Sequence, residues 1–230
     1  MPLFLKMKEW LKKRLGEISL KAGIAALLFL IAIFIFAFIA HEIVLEDEKW
    51  FDEKAFSFFR NNSTPPLTRL MKTISFFGDS YFLFPAYVIV VGWLLLKQKK
   101  ADAINIAIIG VSSFALLHIL KGLFQRNRPQ LPLFEDLKNY SFPSGHALSS
   151  FVFCSVLVFL TSKSGLSKAW KWGLSVFLVL FSLLIGISRI VLRYHYASDV
   201  LAGFCLGFAW VFIFLWLQTK FEKKLIRAVN

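Results

Sequence analysis

His195 and Asp199 stand four residues apart in the run Ser188-Arg189-Ile190-Val191-Leu192-Arg193-Tyr194-His195-Tyr196-Ala197-Ser198-Asp199. If a helix starts there, the two side chains share a face. A carboxylate bonded to one imidazole nitrogen fixes the tautomer and leaves the other nitrogen free to attack. A second histidine closes the run Pro143-Ser144-Gly145-His146. That run opens a helix, with Ser144 as its N-cap. The freed backbone N–H groups and the positive dipole end form an anion site, and Gly145 lets the backbone approach a phosphate closely. A third run, Lys121-Gly122-Leu123-Phe124-Gln125-Arg126-Asn127-Arg128-Pro129, adds cations. Lys121, Arg128 and Arg189 are the candidates to hold an anion. Each alone also reads as a headgroup anchor with a snorkelling stem, and Arg126 and Arg193 keep that reading. Glu135 and Asp136 lie near the second run, but the cations already occupy the role a metal would take, so no metal and no cofactor is expected.

The elements that must bring these runs together follow from composition. Of 230 residues, 57% are hydrophobic, 27 are Phe and only 18% are charged. A soluble domain of this size has more polar surface to cover than such a chain can supply. Disordered, collagen-like and disulfide-scaffold classes are excluded as well. A net charge of +13 would point to nucleic acid in a soluble chain. In an apolar chain it points to basic edges along a membrane, so no nucleic-acid partner is expected.

A span needs roughly 20 apolar residues. Six candidates run over 22–44, 81–96, 103–120, 147–160, 172–187 and 200–217. The fourth and fifth are short, so their flanks must join the helices. None alternates with period two, which argues against a barrel. The expected fold is an all-α integral membrane protein with six transmembrane helices and short interfacial helices. Sixteen of the 27 Lys and Arg fall on the side that holds both termini and eleven on the other. Both termini are therefore expected in the cytoplasm of a multi-pass plasma-membrane protein. The three polar runs then share the extracytoplasmic side.

The periphery carries less. Residues 1–20 and Trp50–Phe59 mix aromatic and charged residues as in-plane interfacial helices do. Pro65-Pro66 and Gly78-Asp79 read as turns. The first span is too long, and its end too poor a cleavage site, for a removed signal peptide. Cys154 and Cys205 read as small buried side chains, and His41 and His118 as packing or interface residues. The chain reads as one domain over 1–230, with an extracytoplasmic segment at 45–78 and the polar runs within 121–199.

Lys121…Arg128-Pro129, Pro143-Ser144-Gly145-His146 and Ser188-Arg189…His195…Asp199 together resemble the signature of the type 2 phosphatidic acid phosphatase superfamily. Eleven positions match in order within 79 residues, whereas the first 80 residues carry none of it. In size and layout the chain is similar to bacterial members that hydrolyse phosphatidylglycerol phosphate or undecaprenyl pyrophosphate. The resemblance implies metal-free hydrolysis of a lipid phosphate through a phosphohistidine. His195 would be the nucleophile, Asp199 its partner and His146 the general acid and base. Lys121, Arg128, Ser144, Gly145 and Arg189 would hold the phosphoryl oxygens. A transporter that only binds the headgroup would share the cations but leave both histidines and Asp199 without a task. A vanadate-using haloperoxidase shares the constellation, but that class is soluble.

Overall fold

A computed structural model describes residues 20–46, 48–129, 133 and 139–229. Helix α1 (Leu20–Phe38) runs on into a π-helical stretch, Ile39–Leu45. It is followed by α2 (Trp50–Asn62), α3 (Pro65–Phe76), α4 (Ser80–Leu96) and α5 (Lys100–Phe124). Helices α6 (Gly145–Ser162), α7 (Lys168–Val191) and α8 (Ala197–Val229) complete the order. The described residues contain no strand. Six stretches among them are long and apolar enough to cross a membrane: Ala22–Leu45, Pro65–Leu96, Lys100–Phe124, Gly145–Ser162, Lys168–Val191 and Ala197–Lys220. The all-helical, six-span expectation stands.

The helices outrun their apolar cores because the caps lie outside them. Ser144 accepts from the Ala147 N–H and starts α6 ahead of 147. Ser167 accepts from the Trp170 N–H and starts α7 ahead of 172. Two peripheral readings need correction. Pro65-Pro66 is not a turn: Thr64 caps α3 and Pro65 opens it, where a missing N–H costs nothing and φ is already helical. The second span starts earlier than expected: the stretch Pro65–Leu96 begins with α3, ahead of 81. The expected interfacial helix at residues 1–20 lies outside the described residues, apart from Leu20, as do Glu135 and Asp136.

Helix α6 is the centre of the bundle and packs against α5, α7 and α8. Its Ala147, Leu148 and Val152 are completely buried. Helix α8 comes close through Gly203 and Gly207. A Cβ on Gly203 would sit 2.7 Å from the Ser144 carbonyl oxygen, and one on Gly207 would sit 3.3 Å from that of Leu148. Lipid is as apolar as a leucine side chain, so helices in a membrane associate through such close packing rather than through the hydrophobic effect. The glycine seam thus holds the start of α6, with its histidine, against the start of α8. Large apolar side chains such as Phe34, Val111 and Trp170 cover the outside, as a lipid-facing surface requires.

Candidate active site

The site is assembled at one end of the bundle, where α5 and α7 end and α6 and α8 begin. Each of these ends has a local cause. Helix α5 closes with Gln125 in the left-handed region, φ 46°, which turns the chain toward α8. Helix α7 closes with a Schellman motif: Tyr194 N–H donates to the Arg189 carbonyl at 2.9 Å and Arg193 N–H to that of Ile190 at 3.0 Å. Arg193 holds the left-handed position, φ 58°. It is therefore the pivot of this turn. The His195 N–H also donates to the Arg189 carbonyl, at 3.2 Å, so the turn itself ties the histidine to the end of α7. Helix α8 then starts at Ala197. The Asp199 carboxylate reaches back to the Tyr196 N–H at 2.9 Å, the capping-box arrangement.

Asp199 and His195 are almost entirely buried and face each other, with Nδ1 3.5 Å from Oδ2. The same carboxylate oxygen accepts from the Ser141 hydroxyl, whose oxygen is 3.5 Å from Nδ1. On the other side of the ring, Nε2 lies 3.2 Å from Arg128 Nη1. The Arg128 guanidinium is held by the carbonyls of Asn139, Tyr140 and Tyr194 and by the Asn139 side chain. Lys121 donates to the Tyr140 carbonyl, so one short stretch of backbone positions both cations. Burial, with the charges of Arg128, Arg189 and Lys121 behind it, pushes the His195 imidazole well below its ordinary value of 6.5. His195 is therefore neutral at pH 7, the form with a lone pair. Burial pushes Arg128 down to about 10, still a cation at neutral pH.

His146 lies in the first turn of α6, within electrostatic reach of Arg189, His195, Arg128 and Lys121. Its Nε2 is 3.7 Å from Asp79 Oδ2. Arg189 donates to the Ser75 hydroxyl at 2.6 Å and lies over the Tyr194 ring. Ser144 caps α6, and its N–H donates to the Asp199 carbonyl at 3.0 Å. Gly145 has a packing reason of its own, since a Cβ there would meet Leu117 at 3.0 Å.

All eight expected residues thus come to one end of the bundle. The sequence reading missed several of their partners. Arg126 is not a surface anchor: its Nη1 donates to Asp199 Oδ1 at 2.6 Å and its Nη2 to Asp52 Oδ2 at 2.8 Å. Burial pulls its guanidinium down, but Asp199 and Asp52 more than reverse this and hold it above the ordinary arginine value. Asp52, from the helix read as interfacial, is buried and bonds the N–H and hydroxyl of Ser198. Asp79 is more than part of a turn: it caps α4 and faces His146. Ser75 and Ser141 carried no signal at all. An acid in the first turn of an amphipathic helix is expected for the dipole alone, so Asp52 gave no hint of a distant partner.

The family model described as the PAP2 superfamily matches residues 102–223. Phosphatidylglycerophosphatase B of Bacillus subtilis is 29% identical over 164 residues, covering 71% of this chain and 79% of that protein. An undecaprenyl-diphosphatase of Sulfolobus acidocaldarius is 28% identical over 70% of this chain and 75% of its own length. The crystal structure of a transmembrane PAP2-type phosphatidylglycerolphosphate phosphatase from Bacillus subtilis superimposes with a TM-score of 0.73 at 26% identity. It covers 85% of this chain and 96% of that one.

Proposed function

The chain belongs to the PAP2 superfamily, and on that premise we propose that it is a membrane lipid phosphatase that works through a phosphohistidine on His195. One observation carries the reading: the two nitrogens of one buried imidazole face opposite partners. Nδ1 faces the Asp199 carboxylate and Nε2 faces Arg128. With its proton on Nδ1, the ring keeps the Nε2 lone pair on the side where the cations are.

In the first step, phosphoryl oxygens take the donors of Lys121, Arg128 and Arg189, which releases Nε2 from Arg128. The Nε2 lone pair attacks phosphorus in line, and the bond to the leaving oxygen breaks as His146 gives it a proton. Asp199 stabilises the imidazolium that forms. In the second step, His146 takes a proton from water, the water oxygen attacks phosphorus and the P–N bond breaks. Phosphate leaves and neutral His195 is restored. Phosphoryl transfer spreads charge over the equatorial oxygens, so held cations account for most of the catalysis. Three cations against a phosphate of about −1.5 to −2 also leave room for a pyrophosphate. The positive charge is supplied by side chains, so the reaction proceeds without a metal.

The substrate is a lipid phosphate whose tail stays in the bilayer, with phosphatidylglycerol phosphate and undecaprenyl pyrophosphate as the favoured headgroups. The activities of the relatives, a phosphatidylglycerophosphatase and an undecaprenyl-diphosphatase, support both. The excess of Lys and Arg on the opposite side supports a site that faces the extracytoplasmic leaflet. The test is phosphate release by purified protein in detergent with excess EDTA, from both lipids side by side, with His195→Ala as control. Release that survives EDTA and vanishes in the variant is expected. Folded protein that releases nothing, or whose activity needs added metal, would overturn the reading.

A further inference from the structure

Two buried charges at the site, Asp52 and Arg126, have no part in the steps above. Asp199 Oδ2 faces His195 and accepts from Ser141 and Tyr196 N–H, while Oδ1 accepts from Arg126. The orientation of the carboxylate toward the imidazole is therefore fixed at its far end by Arg126. The Arg126 side chain is 11% exposed and is clamped between Asp199 and Asp52, with its guanidinium 4.1 Å from the centre of the Tyr196 ring. Asp52 also accepts from the Ser198 N–H at 2.9 Å and the Ser198 hydroxyl at 2.6 Å, so it holds the first turn of α8 as well. Asp52 lies outside residues 102–223, the part that matches the family model.

We propose that Asp52 and Arg126 are positioning residues for the His195–Asp199 pair, and that docking of α2 on the start of α8 completes the catalytic centre. Asp52 acts through Arg126 and Ser198, and neither Asp52 nor Arg126 touches the phosphoryl group. The proposal rests on the phosphatase reading above. Outer-shell partners that orient a metal-bound histidine typically contribute about 10–100-fold, and the same range is expected for this braced one.

The charged and titratable groups that face His195 are Lys121 from α5, Arg128 after it, His146 from α6, Arg189 from α7 and Asp199 from α8, with Arg126 behind Asp199 and Asp52 of α2 behind Arg126. Removing the negative charge of Asp52 disfavours the imidazolium, so the acidic limb of kcat/KM moves to lower pH. Removing the positive charge of Arg126 moves it to higher pH. A merely structural role would lower activity without opposite shifts.

The experiment uses full-length protein in detergent, dioctanoyl phosphatidic acid as probe, and the variants Asp52→Asn, Arg126→Gln and the double variant. Asp52→Asn should lower kcat about 10–100-fold with KM nearly unchanged, and the double variant should fall by less than the product of the two single effects, the mark of coupled residues. Wild-type kcat in Asp52→Asn, an additive fall in the double variant, or limbs that move the same way would overturn the proposal. Arg126→Lys covers the case in which the others do not fold. It keeps the charge but loses the fork that holds two carboxylates, so kcat should fall with the limb in place, and wild-type kcat in it would also overturn the proposal. A wild-type protein that releases no phosphate from this probe or from the two lipids named above would overturn the phosphatase reading, and this proposal with it.

Discussion

The two histidines of the site live in different surroundings. His195 is 2% exposed and tied on every side, by Asp199, Ser141 and Arg128 around the ring and by the Schellman turn along the backbone. His146 is 16% exposed, and the carboxylate facing it, Asp79, is 3.7 Å away with a side chain 36% exposed. A nucleophile gains from rigidity, because its lone pair must meet phosphorus along one line. A residue that gives a proton to one oxygen and takes one from another needs access to both. The contrast teaches that burial and bracing are what would separate the two proposed roles, although the residue type is the same.

The largest test of that contrast removes each histidine in turn. His195→Ala should abolish turnover and covalent labelling by ³²P-phosphate esters. His146→Ala should lower turnover about 10²–10⁴-fold yet still be labelled by an ester with a good leaving group, which needs no acid. Equal labelling in both variants would erase the distinction. Arg126→Met leaves Asp199 and Asp52 buried without their cation. The fold should lose about 3–5 kcal/mol, read as a lower midpoint of thermal unfolding in detergent. A variant with the wild-type midpoint would show that the bracing is idle.

The pH dependence sharpens the comparison from another side. The folded-state value of His195 is depressed, so below about 6.5 the unfolded chain binds a proton that the folded one refuses. Stability should therefore fall as pH drops through 6.5, while the acidic limb of kcat/KM lies lower still. A limb at or above 6.5 in a pH–rate profile would contradict a neutral, buried nucleophile. A smaller effect is expected at Asp79. Asp79→Asn should lower kcat less than tenfold, since exposed pairs couple weakly; a hundredfold loss in steady-state kinetics would make His146 as dependent on its carboxylate as His195. The smallest concerns the pivot. Arg193→Gly relieves a left-handed φ of 58° and should leave stability unchanged or raise it by about 1 kcal/mol, measured as the same unfolding midpoint.

Much of this molecule was legible because the signals are local. Six apolar runs read as six spans, since a helix in lipid must satisfy its own backbone and so betrays itself by hydropathy alone. Ser144 was legible as a cap, because a cap bonds an N–H only three residues away. His195 and Asp199 were legible as a pair because they are four residues apart. Arg126 was misread for the opposite reason. Whether an arginine at a helix end meets headgroups or a carboxylate 73 residues further on is not written in its neighbours.

The sequence by itself determined the helices, their caps and the residue types able to hold and attack a phosphate, because hydropathy, capping and side-chain chemistry act over a few residues. Only the tertiary structure decided how those residues are braced. Asp52, Ser75 and Asp79 reach the site from helices with no motif of their own. They do so because close helix packing, with its seam at Gly203 and Gly207, brings distant ends of the chain to one end of the bundle. Buried charges there must find opposite partners wherever the fold supplies them. That requirement is physical and general, but which residue meets it depends on helix positions that no local pattern encodes.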